Sequence, residues 1–398
     1  MKRSVLVFFS WSFNNIGDIG ITPGLLRLFQ EHAPDARMTV VANSHTVETR
    51  EYLKDRFPGC DLLATPFHDR EPSLQFQHAF DSADLIVYNS GATLSYGRWA
   101  HNWAHTMPFT VPLIMARDAG KPYGIYGQSF DRFAWPSDAL FRDLLRGAAF
   151  LFARESDSLA YLNDLGIAAP VTGLAPDATF GFDLRDEDWA DSFMATHELV
   201  PRQFITLTIR TSGQGFIDEV REEAHAAKLR ELVVEWVRRT GYPVLLCPEV
   251  RHEIEPARRL IHERLPANVR ESVRFMEDFW LPDQAFSVYA RARIVVSMEM
   301  HSVIMAVAAG TPAIHPRFAE AGRKAWILRD LGLEEWLYDV DAAPAAVIAG
   351  TPFAIHNDYE AALEKAGAAM ATVAKGQAES MAVVRQVLEQ KPPRARPG

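Results

Sequence analysis

The sequence predicts an α/β protein made of two doubly wound parallel-sheet domains. Three observations predict it. Short runs rich in Val, Ile, Phe and Tyr recur along the chain, helical stretches fill the intervals between them, and the alternation pauses at an acidic segment before starting again.

Taken in order, Val5 to Phe9 is apolar throughout, as a strand buried on both faces should be. Asn14-Asn15-Ile16-Gly17-Asp18-Ile19-Gly20 is a Gly/Asn turn opening a helix, Thr22 to His32. Met38 to Ala42 is the second strand, Thr46 to Phe57 a helix, Asp61 to Ala64 a short extended piece and Ser73 to Phe80 a helix. Leu85 to Tyr88 is a strand ending in a second glycine loop, Asn89 to Thr93. Pro112 to Ala119 is a helix, Tyr123 to Tyr126 a strand, and Gly127-Gln128-Ser129 a third loop at a strand end. Ala139 to Arg146 is helical, Phe150 to Ala153 a strand, Glu155 to Leu165 a helix, and Pro170 to Gly173 a last strand before Pro176-Asp177.

The acidic stretch Phe182 to Ala195 is expected to be a linker, after which the pattern restarts. Phe204 to Ile209, Val244 to Cys247, Val273 to Phe275, Ile294 to Val296 and Pro312 to His315 are strands. Helices over Glu222 to Thr240, Glu255 to Glu263, Leu281 to Ala290 and Ser302 to Ala309 separate them, the last ended by Gly310 and Pro312. Tyr359 to Glu389 is a long amphipathic helix. The domain reading is therefore 1–190 and 200–355, both Rossmann-like, with a helical segment over 356–390 bracing them. The tail, 391–398, is expected to be disordered. Two such halves facing a cleft are the architecture of GT-B proteins.

Bulk properties narrow the function. A net charge of −10 argues against nucleic acid, because phosphate backbones need a basic face. Only Cys60 and Cys247 are present, far apart, which suggests reduced thiols and a cytoplasmic setting. The apolar run after Met1-Lys2-Arg3 is too short for a signal peptide, and no stretch is long enough to span a bilayer.

Candidate chemistry gathers at strand ends, where open α/β sheets bind ligands. Glu299 and His301 fall between a strand and the start of a helix, a position that favours anions. A lone His there is structural more often than catalytic, so the case depends on its neighbours. Arg154 ends a strand, with a planar fork suited to phosphate or carboxylate. Arg210 ends another, followed by Thr211-Ser212-Gly213-Gln214-Gly215, and Arg317, Arg323 and Lys324 follow the strand after Gly310. A basic cleft is thus expected despite the acidic whole. Glu249 with His252, or His301 with Glu299 and His315, could pair on a metal, but neither has a metal-site spacing, and no metal is expected. Dinucleotide and P-loop glycine motifs and a G-x-S-x-G elbow are all missing from the sequence.

Asn15-Ile16-Gly17-Asp18, the Asn89 to Thr93 loop, Tyr126-Gly127-Gln128-Ser129, Phe152-Ala153-Arg154-Glu155-Ser156-Asp157-Ser158, Pro176-Asp177, and His301-Ser302 through Gly310-Thr311-Pro312 occur in that order. Together they resemble the polysaccharide pyruvyl transferase family, from about Asn15 to Lys324. The resemblance implies a GT-B-like fold and transfer of a pyruvyl group from phosphoenolpyruvate to a saccharide as a cyclic ketal. Phosphoenolpyruvate would be the donor substrate, with no cofactor. Arg154 would hold the donor's carboxylate or phosphate, His301 would move a proton or bind phosphate, and Lys324 would complete the donor site. Asn15, Gly17, Asp18, Gly91, Thr93, Gln128, Ser129, Arg210, Ser302 and Arg317 are the further candidate substrate-binding residues. The acceptor would be a saccharide met by the first domain, with transient contact to a lipid-linked glycan left open.

One position departs from the family's Ser-x-Arg-x-His pattern: Glu299 stands where the Arg is expected. A carboxylate there repels an anionic substrate unless Arg or Lys pairs with it. Three readings follow: a different donor, Glu299 as an acid/base, or loss of the reaction. A GT-B glycosyltransferase using a sugar nucleotide, and a non-catalytic saccharide-binding protein, are the alternatives.

Overall fold

The structure is a computed structural model describing residues 3–10, 13–42, 47–64, 73–94, 103–135, 137–214 and 217–390. The tail expected to be disordered, Thr46 of the expected second helix and Gly215 lie outside the described residues. The chain divides into two compact units. Unit 1 takes the described residues among 1–13, 18–182 and 373–398, and unit 2 takes 14–17 and 183–372.

Unit 1 holds seven strands: β1 Ser4–Ser10, β2 Arg37–Ala42, β3 Asp61–Ala64, β4 Leu85–Tyr88, β5 Tyr123–Gln128, β6 Phe150–Ala153 and β7 Thr172–Leu174. They pair in parallel in the order β3-β2-β1-β4-β5-β6-β7. Val5 sits between Met38 and Leu85, so the apolar β1 is flanked on both edges by parallel strands. Val5, Val7, Leu85, Ile86 and Leu151 are each at most 1% exposed, and burying such a side chain contributes roughly 1.5–3 kcal/mol.

Unit 2 holds six: β8 Ile205–Thr208, β9 Val244–Leu246, β10 Val273–Phe275, β11 Ile294–Ser297, β12 Ala313–Arg317 and β13 Leu337–Asp339, in the parallel order β10-β9-β8-β11-β12-β13. Its longest early helix, Glu219–Thr240, starts where the Asp218 carboxylate accepts from Arg221 N (2.8 Å). It stops at Gly241, whose φ of 71° closes the last turn.

Several elements differ from expectation for identifiable reasons. The first helix begins at Ile16, because Asn15 Oδ1 accepts from Gly17 N at 2.7 Å and the glycine turn is itself the first helical turn. The helix expected from Pro112 runs over Trp103–Asp118 and continues through Pro108 and Pro112, with Leu113 and Ala116 in the core. Part of the acidic linker is the helix Glu187–Thr196. Asp186 caps it, Glu187 and Asp188 suit its positive end, and Trp189 stacks on Phe193. The edge strand β13 and the helix Ala345–Asn357 were not anticipated: the first is a half-buried triplet without alternation, the second contains Gly350 and Pro352.

The helix Tyr359–Glu389 is present as expected. Within unit 2, Arg202 Nη1 donates to the Tyr359 hydroxyl at 3.1 Å. Within unit 1, the hydroxyls of Tyr126 and Ser380 are 3.1 Å apart.

Candidate functional site

In unit 2 the chain leaves β8 toward β9 and leaves β11 toward β12, so the point where the sheet changes direction lies between β8 and β11. Arg210 follows β8 there, and Glu299 and His301 follow β11. Ser297 fixes the turn after β11: its Oγ donates to Glu299 O (2.8 Å) and accepts from Glu299 N (3.0 Å). The helix Met300–Ala308 starts directly afterwards.

That helix start already has its anion. Glu249, three residues beyond β9, directs Oε2 to the N–H and the hydroxyl of Ser302 (2.6 and 2.7 Å). The Tyr289 hydroxyl donates to Ser302 Oγ at 3.0 Å, completing a chain of donors that ends on the carboxylate. Glu249 Oε1 lies 3.4 Å from His301 Nδ1. Burial alone would raise the Glu249 carboxyl. Contact with His301, then Ser302 and Lys324, brings it below the ordinary range. With Nδ1 turned to a carboxylate, the buried Nε2 of His301 is left with no hydrogen-bond partner among the described residues. An imidazole oriented by a carboxylate at one nitrogen and open at the other can accept or deliver a proton there.

Glu299 takes the remaining charge. Arg210 Nη1 is 3.2 Å from its Oε2 and Lys324 Nζ is 4.0 Å away, all three being largely buried. Arg210 also rests over the Phe318 ring at 5.4 Å. Glu253, whose Oε2 accepts from Val250 N at 3.2 Å, has its carboxyl held well above the ordinary range by burial and by the Glu299 and Glu249 carboxylates. His315, fully buried, donates from Nδ1 to Ser297 O (2.8 Å). Burial pushes its imidazole down to about 3, so it stays neutral. The basic cleft expected here is thus a balanced cluster, in which Glu299 offsets Arg210 and Lys324.

Asn15 and Gly17 belong to this unit. Ile16 N donates to Glu249 O at 3.0 Å, Arg251 N donates to Asn14 O at 2.8 Å, and Asn15 bridges Val250 in antiparallel fashion. Arg317, at the end of β12, stacks over Trp326 at 4.7 Å.

In unit 1 the strand-end loops are fastened to one another. Gln128 Nε2 donates to Asn89 O (2.5 Å) and its Oε1 accepts from Thr93 N (3.2 Å), while Ser129 N donates to Gly91 O (2.8 Å). Arg154 donates from Nε to Ser129 Oγ (2.6 Å) and from Nη1 to Asp177 Oδ2 (2.5 Å). Glu155 Oε2 is 3.7 Å away and accepts from the Ser129 hydroxyl (2.6 Å). The guanidinium is 2% exposed, so it organises a buried network rather than presenting an open fork. Asp18, half-buried on the first helix, also lies in unit 1.

The structure brings Glu299, His301, Ser302, Arg210, Lys324, Asn15 and Gly17, each singled out from sequence, into one cluster. Arg154, Gly91, Thr93, Gln128 and Ser129 form another. From sequence, Glu249 has only a possible metal role and Glu253 none. The available signal for Glu249 was its place just after a central strand. Among the described residues, no group of three His, Cys, Asp or Glu side chains could hold a metal ion, and no helix is long and apolar enough to cross a membrane.

A family model described as polysaccharide pyruvyl transferase matches residues 15–315. No curated protein matches the chain. Among solved structures, S. aureus MnaA with UDP is similar at a TM-score of 0.61 and 11% identity, over 97% of this chain and 95% of that one. The UDP-GlcNAc 2-epimerase from Neisseria meningitidis bound to UDP-GlcNAc aligns at 0.59 and 14%, over 97% and 99%. Anabaena Alr3699/HepE with UDP and glucose aligns at 0.61 and 12%, over 96% and 99%. At these identities the likeness shows the fold, which is GT-B-like as the sequence predicts.

Proposed function

The chain belongs to the polysaccharide pyruvyl transferase family, and on that premise we propose that it transfers the pyruvyl group of phosphoenolpyruvate to a saccharide as a cyclic ketal. The observation that carries this reading is the Glu249–His301 pair, with Nε2 of the imidazole open in a buried setting.

In this reading protonated His301 delivers its Nε2 proton to C3 of the enol, leaving C2 oxocarbenium-like. A sugar hydroxyl adds to C2 and returns a proton to the imidazole. The C2–O bond to phosphate then breaks with its electron pair, a second hydroxyl closes the ketal, and that hydroxyl's proton leaves with phosphate. Glu249 keeps Nδ1 protonated and steadies the imidazolium. Arg210 and Lys324 steady the departing phosphate, with Glu299 holding the two cations in place beforehand. Arg154 keeps the unit 1 loops, with Gly91, Thr93, Gln128 and Ser129, in shape for the acceptor. Asp18 and Arg317 are proposed at the edge of substrate binding.

A second reading has a specific observation behind it. Glu299 already offsets Arg210 and Lys324, and Glu249 already fills the helix start, which suits a donor less densely charged than phosphoenolpyruvate. The three solved structures above contain UDP or a UDP-sugar, making a sugar nucleotide the natural candidate.

Thermal shift with phosphoenolpyruvate and with UDP-sugars separates the two, since a ligand at 100 times its Kd adds about 2.7 kcal/mol of stability. The leading reading expects stabilisation by phosphoenolpyruvate and glycan-dependent phosphate release that His301→Ala abolishes. Stabilisation by UDP-sugars alone, or phosphate release untouched by His301→Ala, would overturn it.

A further inference from the structure

We infer that the turn Asn15-Ile16-Gly17 positions His301, and that Gly17 is a glycine because the imidazole occupies the space of any side chain there. The inference rests on the reading of His301 as the acid–base group.

A Cβ built on Gly17 would lie 2.2 Å from His301 Cγ and Nδ1 and 2.3 Å from its Cβ. The backbone does not require glycine at this position, because Gly17 is not among the residues with positive φ. Since the Cβ of His301 is itself one of the overlapping atoms, turning the ring to another rotamer would not relieve the clash. The turn cannot easily retreat either. Asn15 Oδ1 holds Gly17 N at 2.7 Å, and two backbone hydrogen bonds tie residues 14 and 16 to Glu249 and Arg251.

The same stretch therefore grips the ring twice: Glu249 presents its carboxylate to Nδ1, and the backbone of Glu249 to Arg251 holds Gly17 against the imidazole. Such a grip answers a specific weakness of histidine. Its terminal torsion is broad and roughly two-fold, so an unconstrained ring can flip and exchange Nδ1 for a carbon. A flipped ring would take the N–H away from Glu249 and aim the open nitrogen elsewhere. The turn assigned by sequence to substrate binding becomes, on this geometry, a wall behind the acid–base group.

The test uses the full chain with ¹⁵N-labelled histidine and three variants: Gly17→Ala, Asn15→Ala and Asn15→Asp. In its neutral form wild-type His301 should show a single Nδ1–H tautomer, and Gly17→Ala should lose it. Displacing a reacting group by about 1 Å costs on the order of 100-fold, so kcat should fall by that factor while KM changes little. Asn15→Asp keeps the oxygen that holds Gly17 N and should keep the Nδ1–H tautomer, whereas Asn15→Ala should lose it as Gly17→Ala does. If Gly17→Ala does not fold, the Asn15 pair reads the same effect. A wild-type tautomer in both Gly17→Ala and Asn15→Ala would overturn the inference. Failure of the wild type to use phosphoenolpyruvate with any glycan would instead sink the functional reading, while the tautomer comparison would still decide the role of the turn.

Discussion

The carboxylate of Glu249 lies 3.4 Å from Nδ1 of His301, while Nε2 of the same ring has no hydrogen-bond partner among the described residues. Glu249→Gln should expose its importance. The amide oxygen can still accept from Ser302, which leaves the NH₂ group facing Nδ1 and favours the opposite tautomer. Expected is a kcat lower by roughly 10²–10⁴, with KM little changed and the fold retained. Steady-state phosphate release checks it; a kcat within threefold of wild type, on the order of simple packing effects, would deny Glu249 this role.

Glu299 sits between Arg210 and Lys324, so its variants should separate charge balance from catalysis. Glu299→Arg would gather three cations in a buried space and is expected to destabilise by roughly 3–5 kcal/mol. Glu299→Gln removes one negative charge from beside the two cations at less cost. It should bind inorganic phosphate more tightly than wild type, with a steeper loss of affinity as salt rises. Calorimetry at two ionic strengths measures this, and unchanged phosphate affinity would show that Arg210 and Lys324 are not a latent anion site.

What the sequence made legible follows physical lines. Val5 to Phe8 of β1, all of β4 and β6, and Ile294 to Val296 of β11 are continuous buried apolar runs, and such runs announce themselves. The candidate residues were found because βα units put chemistry at strand ends, a rule that needs no coordinates. Partnerships were not legible. Nothing in the spacing of Glu249 and His301 says that a loop after β9 caps the helix after β11, nor that Gly17 touches the same ring. Arg154 has the sequence position of an anion-binding fork, yet Ser129 and Asp177 take its hydrogen bonds, because residues distant in sequence close over it.

That burial changes what Arg154→Ala should do. The variant leaves Asp177 and Glu155 buried beside a missing cation, and breaking a buried pair this way costs on the order of 3–5 kcal/mol. Tm should drop by about 10 °C. Arg154→Lys should recover part of the loss, since an ammonium can meet Asp177 but cannot also reproduce the bond to Ser129. Scanning calorimetry reads both; a Tm within about 2 °C of wild type for Arg154→Ala would restore the view of Arg154 as an open ligand-binding group.

Glu155 gives unit 1 a pH dependence whose sign can be worked out. Burial pushes its carboxyl up to about 7, with Asp131 adding to the rise. Arg154, Ser129 and Ser158 pull the other way without cancelling it. Between the unfolded value near 4.5 and about 7, the folded chain therefore holds a proton that the unfolded chain has released. The stability Glu155 contributes is complete below the lower value and is lost as pH rises through the window, at up to about 1.4 kcal/mol per pH unit. Glu155→Gln cannot titrate. The difference in stability between wild type and Glu155→Gln should therefore slope against wild type from pH 5 to pH 7 and level off above. Native-state hydrogen exchange at the β6 amides, which sit beside Glu155, reports on this unit rather than on the whole chain. A difference that stays flat across the window would mean that Arg154 and the two serines hold Glu155 ionised throughout, and that the network around Arg154 carries its full negative charge.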